Sequence, residues 1–402
     1  MAKPFPCAAA LLAGLLFLFF LTACNPNGVA AAPTPTQTAQ PAPSSAPEPT
    51  PEPTAEPAPT PALVPYDGVT EHIFFHPLMA YPELSFAGFL SEGFDDWFVT
   101  VEEYRRILSA LYENDYILVD INSVWSPVEQ EAGQVRMVRN TLMLPEGKKP
   151  LVISFDDVNY YDYMRDAGVV YKLILGEDGE IWSWGLDPEG NEVVSQDLDI
   201  ITVLTKFCRE HPDFSYQNAK ACIGLTGYQG ILGYRTQTDR DNPGYESRRQ
   251  EEIAAVAPVV ARLREDGYTF ASHTWGHIRL ESCSLSRVRQ DTQRWLDEVG
   301  SLVGDTQVLL YPFGSRCDGN DVTQTGPCFQ YLESAGFRIF ASVGIESYSK
   351  IKGDAAAVIC DRLHPDGTTL RWSRDRYLHL YDAWQVIDLD ARPDRPYDRN
   401  KG

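Results

Sequence analysis

The sequence has no cluster of lysine and arginine residues with aromatic residues between them, and it is poor in positive charge. Its 402 residues include 34 Lys and Arg against 56 Asp and Glu, which gives a formal net charge of −22. A nucleic-acid-binding protein needs a basic surface because contacts with phosphates supply most of its affinity. We therefore expect no nucleic-acid partner.

The beginning of the chain lacks a hydrophobic run long enough to stay in a membrane as a helix. Residues 8–21 form a run of 14 nearly all apolar residues, whereas a membrane-spanning helix needs about 20. A run of this length behind Lys3 is typical of the apolar region of a secretory signal peptide. It ends in the sequence Leu21-Thr22-Ala23-Cys24, which resembles a bacterial lipobox.

Residues 1–23 are therefore predicted to be a lipoprotein signal peptide, and Cys24 is predicted to carry a lipid anchor. The alternative is an ordinary signal peptide with a chance cysteine. Two or more acyl chains would hold the protein stably on a membrane. We expect a secreted protein that is anchored to the outer face of a bacterial cell membrane.

Residues 24–65 are predicted to be a proline-rich tether. Thirteen of the residues in 25–65 are proline, and the segment shows no apolar periodicity. Such a composition cannot bury enough surface to fold and stays extended, at about 3.1 Å per residue. The tether is therefore expected to reach on the order of 100 Å into a cell wall. A low-complexity spacer with no particular reach is the alternative.

The chain also lacks any CxxC pair among its eight cysteines, so a zinc site built from thiolates is not expected. Six cysteines lie beyond residue 200, and disulfides are permitted outside the cytoplasm. Cys317 and Cys328 flank a loop rich in Gly, Asn and Thr and are the first pair to test. The sequence does not define the connectivity.

Residues 66–396 contain no second linker and no internal repeat, and helical and strand patterns alternate along them. Thr100 and Glu103 form a capping box at the start of a helix predicted over residues 99–115. Further strands are predicted at 116–119, 150–155, 219–225, 268–272, 308–311 and 337–343, and further helices at 198–211, 246–266, 285–302 and 329–335. This alternation predicts one α/β domain, a barrel or a doubly wound sheet, with parallel strands covered by helices.

Polar residues follow three of the predicted strands. Asp156 and Asp157 come directly after a buried strand, where a solvated turn or a helix cap is the less specific explanation. His273 and His277 are four residues apart, and on a helix they would lie on one face, close enough to share a metal ion. A turn at residues 312–314 follows the third strand. Since ligands of parallel α/β folds bind at the carboxyl ends of strands, these groups are expected to meet at one rim.

The segments SFDD, SHTWGH and YPFG, in this order, resemble the motifs of polysaccharide deacetylases of the NodB-homology type, carbohydrate esterase family 4. Upstream, HIFFHP at residues 72–77 resembles the first strand of that family, so the resemblance covers most of residues 69–390. It implies a distorted (β/α) barrel that uses a divalent metal ion, most often Zn²⁺, to remove N-acetyl or O-acetyl groups from sugars.

The resemblance also implies roles for individual residues. Asp156 would be the general base, and Asp157, His273 and His277 would bind the metal ion. The backbone N–H of Phe313 would stabilise the oxyanion. The chemistry agrees with this division, because one carboxylate and two imidazoles leave open positions for water and for an acetyl carbonyl. A carboxylate that does not bind the metal can then remove a proton from water.

The sequence departs from the family pattern at several positions. Val158 replaces the glycine that follows the paired aspartates. Leu310 and Tyr311 occupy the place of an arginine that normally orients the base, which puts the surroundings of Asp156 in doubt. The general acid has no clean match: His364 is preferred over His379 because Arg362 and Asp366 are its neighbours.

Two further segments are open to interpretation. His76, at the end of the first strand, is predicted to be a buried structural histidine rather than part of the site. The insertion at residues 158–245 contains Trp182, Trp184 and a Gly- and Tyr-rich loop at residues 226–238. It is interpreted as a wall of the substrate groove, with a surface excursion as the equal alternative.

These observations favour a metal-dependent hydrolase that removes acetyl groups from a cell-surface polysaccharide. The expected substrate is an N-acetylated amino-sugar polymer such as peptidoglycan or poly-N-acetylglucosamine, and the enzyme is expected to be a monomer. A non-catalytic carbohydrate-binding lipoprotein and another metal hydrolase, such as an acetyl-xylan-type esterase, are the alternatives.

Overall fold

The computed structural model describes residues 61–239, 242, 244–321, 323–353 and 356–396. The predicted signal peptide, Cys24 and nearly all of the predicted tether lie outside the described residues. Within the described ranges, no helix has both the length and the apolar character needed to cross a membrane.

The strands are β1 (Leu63–Tyr66), β2 (Glu71–Phe75), β3 (Tyr116–Leu118), β4 (Trp125–Glu129), β5 (Val135–Arg139), β6 (Leu142–Pro145), β7 (Lys149–Phe155), β8 (Lys172–Leu175), β9 (Ile181–Leu186), β10 (Glu192–Ser195), β11 (Ala221–Leu225), β12 (Thr269–Ser272), β13 (Val308–Leu310), β14 (Ile339–Val343), β15 (Tyr348–Ile351) and β16 (Val358–Arg362).

The helices are α1 (Pro82–Ser85), α2 (Ser91–Trp97), α3 (Val101–Glu113), α4 (Ile121–Val124), α5 (Asp162–Arg165), α6 (Ile200–Glu210), α7 (Tyr245–Glu265), α8 (Leu285–Trp295), α9 (Ser301–Val303), α10 (Cys317–Asn320), α11 (Pro327–Ser334), α12 (Gly367–Trp372), α13 (Arg374–Tyr377) and α14 (Ala383–Val386).

The central sheet is a nearly closed barrel of parallel strands in the order β2-β7-β11-β12-β13-β14-β16. Its two ends meet where Leu363, just after β16, exchanges hydrogen bonds with β2: Phe74 N donates to Leu363 O and Leu363 N to His72 O, both at 2.9 Å. β3 pairs with the start of β7, and β15 adds an antiparallel strand next to β16. The predicted distorted (β/α) barrel is confirmed.

Apolar strands and amphipathic helices explain this architecture. In β7, every residue from Pro150 to Phe155 is buried, because one face of the strand lines the barrel and the other meets the helix layer. The capping box of Thr100 and Glu103 begins α3 as predicted, and the apolar stripe of this helix is buried. Each fully buried aliphatic side chain of this kind stabilises the fold by about 1.5–3 kcal/mol.

The start of the folded part differs from the prediction, and the candidate disulfide pair is reduced. β1 begins at Leu63 and pairs with β6, so the folded part starts inside the last residues that were assigned to the tether. Cys317 and Cys328, the pair named first for testing, are free thiols, as are the other described cysteines.

The inserted segment folds into a separate antiparallel sheet of β8, β9 and β10 that packs on α6 and α7. Trp184 packs edge to face against Tyr171, with ring centroids 5.6 Å apart, and Trp182 donates its indole N–H to Asp178. These tryptophans therefore lie on the outer layer of the barrel and do not form a wall of the substrate groove.

Candidate metal centre and active site

Asp157, His273 and His277 meet at the carboxyl ends of β7 and β12, and their ligand atoms all lie within 4.8 Å of one another. His277 Nε2 is 3.5 Å from Asp157 Oδ2, and His273 Nε2 is 4.0 Å from Asp157 Oδ1. One carboxylate and two imidazoles form a donor set that fits a divalent metal ion such as Zn²⁺. The structure thus brings together the three residues that were predicted to bind metal.

Hydrogen bonds to neighbouring groups orient these three side chains. His273 Nδ1 donates to the carbonyl oxygen of Leu310 at 2.8 Å, which leaves Nε2 to face Asp157. The hydroxyl of Tyr161 donates to Asp157 Oδ1 at 2.8 Å, so the other carboxylate oxygen remains for the metal ion. Such outer contacts fix the orientation and basicity of metal ligands.

The two histidines lie on a loop, not on a helix, so the expectation of a shared helical face was wrong. Thr274 and His277 have left-handed φ values of 58° and 47°, and Asp157 has a φ of 61°. Asp291, on α8, holds the loop by accepting the backbone N–H groups of Trp275 at 2.7 Å and Gly276 at 3.0 Å. Left-handed conformations are costly for residues other than glycine and cluster at functional sites.

Asp156 is buried beside the metal ligands and is held by Arg362 at the end of β16. The guanidinium Nη1 is 2.8 Å from Asp156 Oδ1 and Nη2 is 2.9 Å from Oδ2. Arg362 is itself fully buried and lies over the ring of Phe74 at 4.2 Å. Both oxygens of Asp156 are therefore bound in a fork-to-fork pair, the most directional form of this contact.

The charges around the two aspartates decide their protonation. Burial alone would raise the pKa of Asp156, but the Arg362 guanidinium and then His273 lower it below its ordinary value. The pKa of Asp157 is also lowered, because His277 and His273 outweigh the effect of burial. Both carboxylates are ionised at neutral pH, so one can bind a metal ion and the other can accept a proton.

Arg362 supplies the guanidinium for Asp156 that the sequence lacks at the expected place. Leu310 and Tyr311 indeed lack a guanidinium, but Arg362 reaches the base from the last barrel strand. Arg362 and His364 are two residues apart on an extended segment, so their side chains point to the same face. This alternation is the sequence feature that could have predicted Arg362 as part of the site.

Arg362 is also linked to two further buried polar side chains by hydrogen bonds. Arg362 Nη1 also donates to Ser154 Oγ at 3.0 Å, and Ser154 Oγ lies 3.0 Å from His72 Nε2. Burial lowers the pKa of His72 well below its usual value, so this imidazole is neutral next to the arginine. Ser154 and His72 thus satisfy the guanidinium without adding charge.

The structure places the two candidate acids at opposite ends of the barrel. His364 Nδ1 donates to Asp366 Oδ2 at 2.8 Å, and both residues line the same pocket as Asp156. His379 Nε2 lies 3.5 Å from Glu71 Oε2, at the first residue of β2 and away from the rim. His364 is therefore placed to serve as an acid, and His379 is not.

The site opens into a pocket of about 420 Å³. The side chains of Trp97, Tyr163 and Phe313 line it and are 50%, 40% and 55% exposed. His76 lines it as well and shares a hydrogen bond of 3.0 Å, through Nδ1, with the carbonyl oxygen of Trp97. The prediction that His76 is a buried structural residue was wrong.

The loop at residues 226–238 contacts the residues that follow Asp157 and holds them in place. The ring of Tyr228 stacks on that of Tyr161, with centroids 4.6 Å apart and planes at 11°. Thr226 Oγ1 is 2.5 Å from the Tyr161 hydroxyl, and the Thr226 carbonyl accepts the amide N–H of Asn159 at 2.9 Å. Tyr161 and this loop therefore fix the position of Asp157.

The family model of polysaccharide deacetylases matches residues 245–338 of the chain. This segment contains His273, His277 and the turn at residues 312–314, but not Asp156 and Asp157. No functionally curated protein matches the chain in sequence.

Solved structures similar to this chain include three deacetylases, all at low identity. The Streptococcus pyogenes deacetylase PplD, in complex with acetate, is 13% identical to this chain, with a TM-score of 0.39. The alignment covers 78% of this chain and 98% of the PplD chain. BC0361, a polysaccharide deacetylase from Bacillus cereus, is 11% identical with a TM-score of 0.38, covering 77% of this chain and 68% of its own. A putative polysaccharide deacetylase from Mycobacterium smegmatis is 15% identical with a TM-score of 0.25, covering 40% and 44%.

Proposed function

We propose that the protein is a metal-dependent hydrolase that removes acetyl groups from a polysaccharide. The observation that carries this proposal is the convergence of Asp156, the ligand set of Asp157, His273 and His277, and His364 on a single pocket. A base, a metal-binding set and an acid around one pocket are the groups that hydrolysis of an amide or ester requires.

Each residue has a distinct task in this reaction. Asp157, His273 and His277 would hold a divalent metal ion, which would supply Lewis acidity toward the acetyl carbonyl and a lowered pKa for water. Asp156, which is ionised and aligned by Arg362, accepts the proton of the attacking water. His364, oriented by Asp366, donates a proton to the departing sugar nitrogen or oxygen. The backbone N–H of Phe313 at the rim stabilises the oxyanion.

We further propose that the metal ion is Zn²⁺ and that the substrate is an N-acetylated amino-sugar polymer such as peptidoglycan or poly-N-acetylglucosamine. The donor set supports zinc. The predicted signal peptide, the predicted lipid anchor at Cys24 and the predicted tether support an enzyme on the outer face of a bacterial membrane, where such polymers are found.

Acetate release from a panel of acetylated glycans tests the activity. The panel contains chitin oligomers, peptidoglycan fragments, poly-N-acetylglucosamine and acetylated xylan. Release from the N-acetylated polymers is expected, whereas release from xylan alone would identify an esterase. A protein that binds these glycans and releases no acetate would be a carbohydrate-binding lipoprotein instead.

Matched variants test the division of roles. Asp156→Asn is expected to retain the metal ion and to lose about 10²–10⁴-fold in rate, the usual contribution of a general base. Asp157→Asn and His273→Ala are expected to lose both metal and activity, as measured by elemental analysis. Asp187→Asn, on the turn between β9 and β10, is the control. Identical behaviour of Asp156→Asn and Asp157→Asn would contradict the assignment.

A further inference from the structure

Arg279, two residues after His277, carries a positive charge at the mouth of the pocket. Its guanidinium carbon lies 4.4 Å from the centre of the Phe313 ring, and this ring lies 4.4 Å from the His277 imidazole. The ring of Phe313 therefore contacts both the permanent cation and a candidate metal ligand. The stacking also restricts the guanidinium, which lowers the entropy lost when it binds a partner.

The guanidinium of Arg279 retains capacity for another ligand. Its side chain is 53% exposed, and its Nη1 is 3.4 Å from Glu281 Oε1. That distance exceeds the 2.7–2.9 Å that is typical of strong charge-assisted hydrogen bonds. Glu281 is the only described residue that accepts a hydrogen bond from this guanidinium.

The three aspartates of the pocket are bound to groups other than Arg279. Asp156 is paired with Arg362, and Asp366 is bound to His364. Asp157 accepts from Tyr161 and faces the two histidines. None of the three is bound to Arg279, and Glu281 is the acidic residue that contacts it within the described ranges.

We propose that Arg279 binds an oxyanion, a carboxylate or a phosphate, that the polysaccharide carries next to the acetylated sugar. The proposal rests on the proposed function and narrows the substrate to an anionic acetylated glycan. The planar fork of arginine matches both carboxylate and phosphate. A pocket of about 420 Å³ has room for the reacting sugar, so the anionic group lies at the mouth, where Arg279 is.

Three tetrasaccharides test the specificity: the N-acetylglucosamine tetramer, the same tetramer with lactyl ether carboxylates on alternate sugars, and the same tetramer with phosphate esters. The kcat/KM of the full chain is expected to be about tenfold higher for an anionic tetramer than for the neutral one, with the difference in KM. The preferred anionic tetramer identifies carboxylate or phosphate as the source. The preference should weaken as salt is added.

Arg279→Gln is expected to abolish the preference, so that the neutral and the anionic tetramers have equal kcat/KM. Arg289→Gln is the matched control, because Arg289 also lies over an aromatic ring, that of Tyr331 at 5.3 Å, but outside the pocket. Equal kcat/KM for neutral and anionic tetramers in the wild-type protein would overturn the role of Arg279 and leave the proposed function intact.

Calorimetric binding to Asp156→Asn separates this proposal from the proposed activity, since binding needs no turnover. The anionic tetramer is expected to bind about tenfold more tightly than the neutral one, and the double variant Asp156→Asn/Arg279→Gln is expected to bind both equally. If neither the glycan panel nor any tetramer releases acetate but Arg279 still confers this difference, the hydrolase is disproved and the anion site stands. If both tetramers bind Asp156→Asn equally, the anion site is disproved.

Discussion

Arg362 and Arg392 are both fully buried side chains that pair with carboxylates, but the two ion pairs have different roles. Arg362 binds both oxygens of Asp156, whose carboxylate lines the pocket. Arg392, in the segment after α14, binds Glu103 through Nε at 2.6 Å and Nη2 at 2.8 Å and Asp95 through Nη1 at 2.9 Å. The first pair presents a carboxylate to the pocket, and the second encloses its carboxylates completely.

The difference shows that the role of a buried ion pair, in the site or in the fold, depends on what its carboxylate faces. Arg371 and Arg395 join Arg392 around Asp95, and this cluster fastens the last described segment to α2. α2 ends at Trp97, which lines the pocket, so the cluster supports the site only through the backbone. Substitutions at the two arginines should therefore separate activity from stability.

Arg362→Met should have the largest effect. It leaves a buried aspartate without its partner, which costs about 3–5 kcal/mol of folding free energy. It also raises the pKa of Asp156, so the acidic limb of the pH–rate profile should move to higher pH while the rate falls by about 10² or more. Denaturant unfolding and acetate release measure the two effects. Arg362→Lys, which keeps the charge, should recover part of the activity.

Arg392→Met should lose a similar 3–5 kcal/mol, because Glu103 loses its buried partner, although Asp95 keeps Arg371 and Arg395. The kcat of the folded fraction should stay within about threefold of wild type, since neither carboxylate lines the pocket. Unfolding midpoints and active-site titration check this. A loss of kcat as large as that of Arg362→Met would remove the distinction between the two pairs.

Tyr161→Phe should weaken metal binding by about 10–100-fold, the usual effect of losing an outer contact to a metal ligand. The change removes the hydroxyl that donates to Asp157 Oδ1 and keeps the ring stack with Tyr228. Equilibrium dialysis with Zn²⁺ measures the affinity. Tyr163→Phe is the control, because its ring also stacks on Tyr161; an equal loss there would show that the Tyr161 hydroxyl has no special role.

Substitution of His379, which forms a partly exposed pair with Glu71, should have the smallest effect on stability. The hydrogen bond to Glu71 raises the pKa of His379, so its stabilisation is present below the unfolded pKa of about 6.5 and is lost as pH rises through the folded value. His379→Gln should therefore cost more stability at pH 5 than at pH 9, by less than about 1 kcal/mol, because the pair is partly exposed. Unfolding at both pH values measures this.

A double variant controls for that last effect. In the His379→Gln background, Glu71→Gln should add no further difference between the two pH values. A remaining difference would assign the pH dependence to another group.

The sequence predicted β3, β7 and β11 to β14 and the polar residues that follow β7, β12 and β13, because apolar strands and the polar residues after them are local patterns. It did not predict β16 or the inserted sheet of β8 to β10. Asp157, His273 and His277 could be placed together since parallel strands end at a common rim. The pairing of Asp156 with Arg362 could not be predicted, because it joins positions 206 residues apart. The loop of His273 and His277 was mistaken for a helix, since its conformation depends on a tertiary contact with Asp291.

The closure of the barrel between β2 and Leu363 has a consequence for the order in which the protein acquires activity. A chain that emerges from its amino end exposes Asp157, His273 and His277 before Arg362, and contacts of such long range form slowly. The metal-binding set can therefore assemble on an open sheet, whereas the aligned base exists only after the last barrel strand docks. Until then β2 is an unpaired edge that invites association with other chains. Completion of the barrel thus both activates the molecule and protects it from aggregation.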